Sequence, residues 1–148
     1  MLSLACALFW LVPAGLSAAD KGVKGEVIVI VASEKPGKID PSLRSLGALK
    51  RPPLNAYRSM KVESRRAVRL QVKKAEKVQL PNGRTLKLVI DKVNANGSFQ
   101  VSASLKTPKR DKYAMLLRVT AAPGDPFFVA GQRHGDGTLI IGVTLGAR

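Results

Sequence analysis

His134 and Asp136 lie two residues apart in Gly131-Gln132-Arg133-His134-Gly135-Asp136-Gly137, and His134 is the chain's one histidine. A carboxylate that orients an imidazole makes a general base, so a hydrolase using His134 is the acid–base chemistry this pair offers. No nucleophile is marked beside it. The surrounding glycines read as the tip of an exposed hairpin, with Asp136-Gly137 supplying the turn. A tip open to water is poor ground for catalysis, and the expectation is a protein that is not an enzyme. One histidine and one cysteine, Cys6, leave no His/Cys cluster for zinc and no thioredoxin-like cysteine pair. The chain has no Gly-rich phosphate loop, no His-Glu-x-x-His and no nucleophile elbow. Neither a metal nor a cofactor is expected.

Charge is the more informative chemistry. Lys and Arg number 25 against 10 Asp and Glu, a formal net charge of +15 on 148 residues. Fourteen of the basic residues and only three of the acidic ones fall between positions 44 and 92. They are interleaved with apolar residues rather than run together, which is the pattern of a folded surface and not of a basic tail. Lys61, Arg65, Arg69 and Lys73 share the parity opposite to Met60, Val68, Leu70 and Val72. With Lys77 and Lys87 they are expected to line one solvent face of a sheet. Such a face suits an anionic partner: an acidic protein, an anionic glycan or a lipid surface. Nucleic acid is disfavoured, because single-strand binders stack bases on aromatic rings, and residues 20–148 hold only Tyr57, Phe99, Tyr113, Phe127 and Phe128.

The first segment reads as an address. Met1 to Ala19 carry no charged side chain, and an apolar run from Leu2 to Val12 leads through Pro13 and Gly15 to Ser17-Ala18-Ala19. This is the form of a secretory signal peptide, residues 1–19, cleaved before Asp20. A retained anchor is the rival reading, but a spanning helix needs about 20 apolar residues and Pro13 and Gly15 interrupt this one. Cleavage leaves residues 20–148 as a single domain with no cysteine, no tryptophan and no membrane span, periplasmic or secreted.

The elements that must position these residues follow from periodicity. Val27-Ile28-Val29-Ile30-Val31 is a continuous β-branched run, expected as a strand covered on both faces. Asp40 suits an N-cap and Pro41 the first helical position; Leu43, Leu46 and Leu49 then predict one short helix, ended by Pro52-Pro53. From residue 54 the period becomes two. Apolar residues alternate through Met60 and Val62, Val68 to Val72, Val78 and Leu80, Leu86 to Ile90, and Phe99 to Leu105. The alternation resumes with Met115, Leu117 and Val119, and closes with Leu139, Ile141, Val143 and Leu145. Asn82-Gly83 predicts a type I′ hairpin turn, and Asn94 to Gly97 a second turn. Short strands at regular spacing, with turn signals between them, predict an α+β, mostly β domain. Its form is a single antiparallel β-sandwich or small barrel, with one short helix near the N-terminus.

The stretch Pro123 to Gly131, continued by Gly137-Thr138-Leu139-Ile140-Ile141-Gly142-Val143, resembles the closing hairpin of many small exported bacterial proteins. It is also loosely similar to a strand–glycine segment of outer-membrane secretins, over about twenty residues. Ala32 to Gly37, Asp40-Pro41 and Leu80 to Arg84 are similar to uncharacterised small signal-peptide-bearing β-rich proteins of Gram-negative bacteria. That resemblance implies a compartment and no activity.

These readings converge on an exported, non-enzymatic binding domain of the bacterial envelope, contacting an anionic partner through a basic sheet face. The alternative is a small structural subunit of an envelope or secretion assembly, joined by strand addition at a sheet edge.

Overall fold

The computed structural model describes residues 22–146, so the signal segment at residues 1–19 lies outside the described residues. Eight strands form: β1 (Val23–Ser33), β2 (Ser59–Leu70), β3 (Glu76–Gln79), β4 (Thr85–Val93), β5 (Phe99–Lys106), β6 (Tyr113–Ala121), β7 (Phe127–His134) and β8 (Gly137–Leu145). They pair as two four-stranded sheets, in the orders β2-β1-β8-β7 and β3-β4-β5-β6, with every pairing antiparallel. The sheets pack face to face as a sandwich and do not close into a barrel. The chain crosses from the first sheet to the second after β2 and returns after β6.

One core lies between the sheets. Val27, Val29, Leu139, Ile141, Val143 and Leu145 of the first sheet meet Leu86, Leu88, Ile90, Val101 and Ala103 of the second. Full burial of such a side chain stabilises the fold by roughly 1.5–3 kcal/mol. A second cluster lies on the other side of the first sheet, where Ile28, Ile30, Ala32, Met60 and Ile140 pack beneath Leu43, Leu49 and Leu54. The unbroken apolar run of β1 thus feeds two cores, and the strand is covered on both faces as its composition predicts.

The cover is not the predicted helix. Three 3₁₀ turns, Pro41–Leu43, Gly47–Lys50 and Leu54–Ala56, form it. The apolar spacing explains this: Leu43, Leu46 and Leu49 recur every three residues with no partner at the fourth. Three is the period of a 3₁₀ turn, and Pro41, Gly47 and Pro52-Pro53 prevent a longer α-helix. Asp40 caps the first turn as expected, its carboxylate accepting from the Ser42 amide at 2.9 Å. The cover is tied to the edge of β2 by Asp40 N–H to Met60 C=O at 2.9 Å and Met60 N–H to Lys38 C=O at 3.1 Å.

The hairpins fall where the Asn-Gly pairs predict, with a different turn. At Pro81-Asn82-Gly83 only Gly83 has positive φ, and its N–H bonds Leu80 C=O at 3.1 Å. Pro81 fixes the negative φ of a type I turn, which excludes type I′, and Gly83 then takes the left-handed position that closes the loop. At the last hairpin the turn residues are Gly135-Asp136, one position earlier than expected, with His134 opposite Gly137. Gly135 has the positive φ, at the first turn position, where glycine has no Cβ to oppose it.

Candidate functional site

The six basic residues expected to share one face are distributed over both faces of β2, a turn beyond it, and the second sheet. Register decides this for β2. Val29 faces Ser64 and Ile30 faces Val62, so Glu63 is an extra residue in a β-bulge. The bulge inverts the alternation. Lys61 pairs with Val31, which packs toward the inter-sheet core, whereas Arg65 pairs with Ile28 of the outer cluster. Lys61 and Arg65 therefore project from opposite faces. Arg69, opposite Lys24, follows Arg65. Lys73 lies beyond the strand in a turn, with φ of 65° and its N–H on Ile90 C=O at 2.8 Å. Val72, expected in the core, is 48% exposed there.

Arg65 has structural partners. Its guanidinium donates to Glu26 on β1 at 2.8 Å and to the Ser42 hydroxyl of the 3₁₀ cover at 3.0 Å. Ser42 in turn donates to Asp40 at 2.7 Å. These hydrogen bonds from Ser42 hold the Asp40 carboxyl below the usual carboxylate range, with the nearby Arg65 charge acting in the same direction. Arg66 reaches Glu76 at 3.8 Å, linking the two sheets at one edge.

Lys77 and Lys87 stand together on the outer face of the second sheet. They are direct cross-strand partners on β3 and β4. Lys106 of β5 and Tyr113 of β6 complete the group, paired with one another in the next row. The ammonium groups of Lys87, Lys106 and Tyr113's third neighbour, Lys77, lie 4.5, 5.8 and 6.0 Å from the centre of the Tyr113 ring. Adjacent strands thus supply one residue each to a four-strand constellation. Among the described residues the only carboxylate paired with any of the three lysines is that of Asp111, 2.8 Å from Lys106. Their hydrogen bond raises the Lys106 pKa and lowers that of Asp111.

A cleft of about 340 Å³ opens beside the ring, lined by Lys77, Lys106, Gln79, Thr85 and Tyr113. It offers hydroxyl and amide groups next to the ammonium groups. Toward the other end of the same face Arg118 lies 3.8 Å from Asp91, and Ser102 donates to Asp91 and accepts from Arg118; Lys92, in register with Gln100, adds one further cation there. Three ammonium groups are thus gathered around one ring at the Tyr113 end of the face.

Lys106 and Tyr113 are absent from the sequence-based set. The parity of Lys106, opposite to Leu105, Ala103 and Val101, marks it as outward, but pairing with β4 and β6 is a long-range fact. A bulge at Leu116 turns Met115 outward beside Ser104, 56% exposed, where alternation predicts core.

The His134–Asp136 pair makes no hydrogen bond, and His134 sits half-buried at the end of β7, near Lys38, Lys61 and Glu63. Among the described residues no group of three His, Cys, Asp or Glu side chains is placed to hold a metal ion. No helix among them is long and apolar enough to cross a membrane. Neither a protein-family model, nor a curated protein, nor a solved structure matches the chain.

Proposed function

We propose that the chain is an exported, non-enzymatic binding domain of the bacterial envelope that holds an anionic partner on the Tyr113 end of its second sheet. Lys77 and Lys87 carry the reading. Like charges placed directly opposite one another on neighbouring strands cost stability. A third ammonium, Lys106, stands beside them and is the one of the three paired with a carboxylate, that of Asp111; the quadrupole of one tyrosine ring is the attraction common to all three. An arrangement that concentrates charge at a local cost is accounted for by a ligand that neutralises it. Of acidic proteins, glycans and lipids, an acidic glycan fits best, because the cleft sets the Thr85 hydroxyl and the Gln79 amide beside the ammonium groups.

The test is retention on an immobilised acidic polysaccharide, dextran sulfate, under a salt gradient. Lys77→Glu with Lys87→Glu is expected to elute at distinctly lower salt than the parent chain. A control with the same change in net charge, Lys24→Glu with Lys35→Glu, is expected to elute later than that pair. Equal shifts in the two variants mean that net charge alone drives retention, and the reading fails.

A further inference from the structure

On the opposite side of the molecule, the 3₁₀ cover leaves a groove of about 900 Å³ between itself and the start of β2. Its apolar wall is built from Ile39, Leu43, Leu49 and Met60. Three of these are buried, while Ile39 is 40% exposed. Its rim is cationic. Lys38, Arg44, Lys50, Arg58 and Lys61 line it, and none of the five pairs with a carboxylate among the described residues. Asp40 is the one acid on the lining, and its Oδ1 accepts two hydrogen bonds from Ser42.

We propose that this groove binds a single-chain anionic amphiphile, a fatty-acid carboxylate, with the hydrocarbon chain along Ile39, Leu43 and Leu49 and the headgroup among the rim cations. The volume lies in the range of sites that enclose small-molecule ligands, which are mostly apolar with a few placed polar groups. The charge on the rim selects the sign of the headgroup. Five unpaired cations around an apolar floor reject a cationic amphiphile and leave a neutral one without compensation for the charge it covers. The site is separate from the Tyr113 cluster and stands or falls independently of it.

The probe is sodium dodecanoate, below its micelle concentration, titrated calorimetrically into the full chain. One equivalent is expected to bind, with decanoate about fifteen-fold weaker, since each buried methylene contributes roughly a factor of four. Dodecyltrimethylammonium, with the same chain and the opposite charge, is expected not to bind. Lys50→Glu with Arg58→Glu, both exposed, weakens dodecanoate about ten-fold or more, and Ile39→Glu does so through the apolar wall. Circular dichroism establishes that both variants are folded. Lys77→Glu with Lys87→Glu leaves dodecanoate binding unchanged. The proposal is overturned if dodecanoate does not bind, if the trimethylammonium amphiphile binds as well, or if binding survives both groove variants and so lies elsewhere on the chain.

Discussion

Lys87 on β4 holds its ammonium group 4.5 Å from the centre of the Tyr113 ring on β6, reaching over β5, which lies between the two strands. The ring is the shared point of three cations, so its removal is expected to loosen their arrangement without changing net charge. Cation–π contacts at exposed positions are worth about 0.5–1 kcal/mol each. Tyr113→Ala is expected to weaken dextran sulfate binding by about three- to ten-fold, while Tyr113→Phe, which keeps the ring face, stays near the parent value. Equal losses in both variants would assign the role to the hydroxyl instead.

Arg65 is expected to matter to the cover of the first sheet and not to anion binding. Its contacts with Glu26 and Ser42 staple the first 3₁₀ turn to β1 and β2. Arg65 and Glu26 are 42% and 49% exposed, so solvent screens the pair and a coupling of no more than about 1 kcal/mol is expected. A double-mutant cycle with Arg65→Ala and Glu26→Ala, read by urea denaturation, measures it. Hydrogen exchange at the amides of Ser42 and Leu43 should rise in Arg65→Ala. A coupling well above 1 kcal/mol would show the pair to be less screened than its exposure indicates.

Much of the sandwich was legible in residue order, because alternation and Asn-Gly pairs are local signals. Val27 to Val31, Leu86 to Ile90 and Leu139 to Leu145 each became a strand with the expected inward residues. Two of the readings that failed, the single basic face on β2 and the inward Met115, did so through single inserted residues. The bulge at Glu63 is silent in the local pattern, since Met60 and Val68 have the same parity yet face different cores. Six cations spaced along one stretch therefore looked like one face. The site that formed instead draws on four strands, and only Lys77 and Lys87 of the expected set belong to it. Strand order brought Lys106 and Tyr113 to them, and strand order is not written in the spacing of either.

Asp40 gives the cover a dependence on acid. Its carboxylate is stabilised in the folded chain by the hydroxyl and amide of Ser42, so its pKa lies below the ordinary 3.8. A carboxyl depressed by folding contributes stability that is present above its unfolded pKa and is lost as pH falls through the folded value. The cover should thus loosen only below about pH 3.8, within the acid limb. NMR titration of the Asp40 carboxyl is expected to give a midpoint below 3.8, shifted upward in Ser42→Ala. An unchanged midpoint in that variant would remove the Ser42 hydroxyl as the cause and leave the amide, which alanine retains.

Gly25 and Gly47 provide a matched test of the packing. A Cβ at Gly25, in β1, would lie 2.5 Å from the carbonyl oxygen of Thr144 and 2.7 Å from a Leu145 methyl, with Val68 at 3.4 Å. The first neighbour is backbone of the adjacent strand β8, which can yield only by displacing the β1–β8 ladder. At Gly47, in the cover, a Cβ meets nothing within 4 Å. Gly25→Ala is expected to destabilise the chain by about 1–3 kcal/mol, as overpacking does in a dense core. Gly47→Ala should change stability by no more than about 0.5 kcal/mol, as surface substitutions usually do. The difference is read from urea midpoints at unchanged slope, so that a change in the extent of unfolding is not mistaken for lost stability. Equal midpoints for the two variants would mean that β1 and β8 can separate at Gly25 without cost, which the pairing of Gly25 with Leu145 on one side and Val68 on the other argues against.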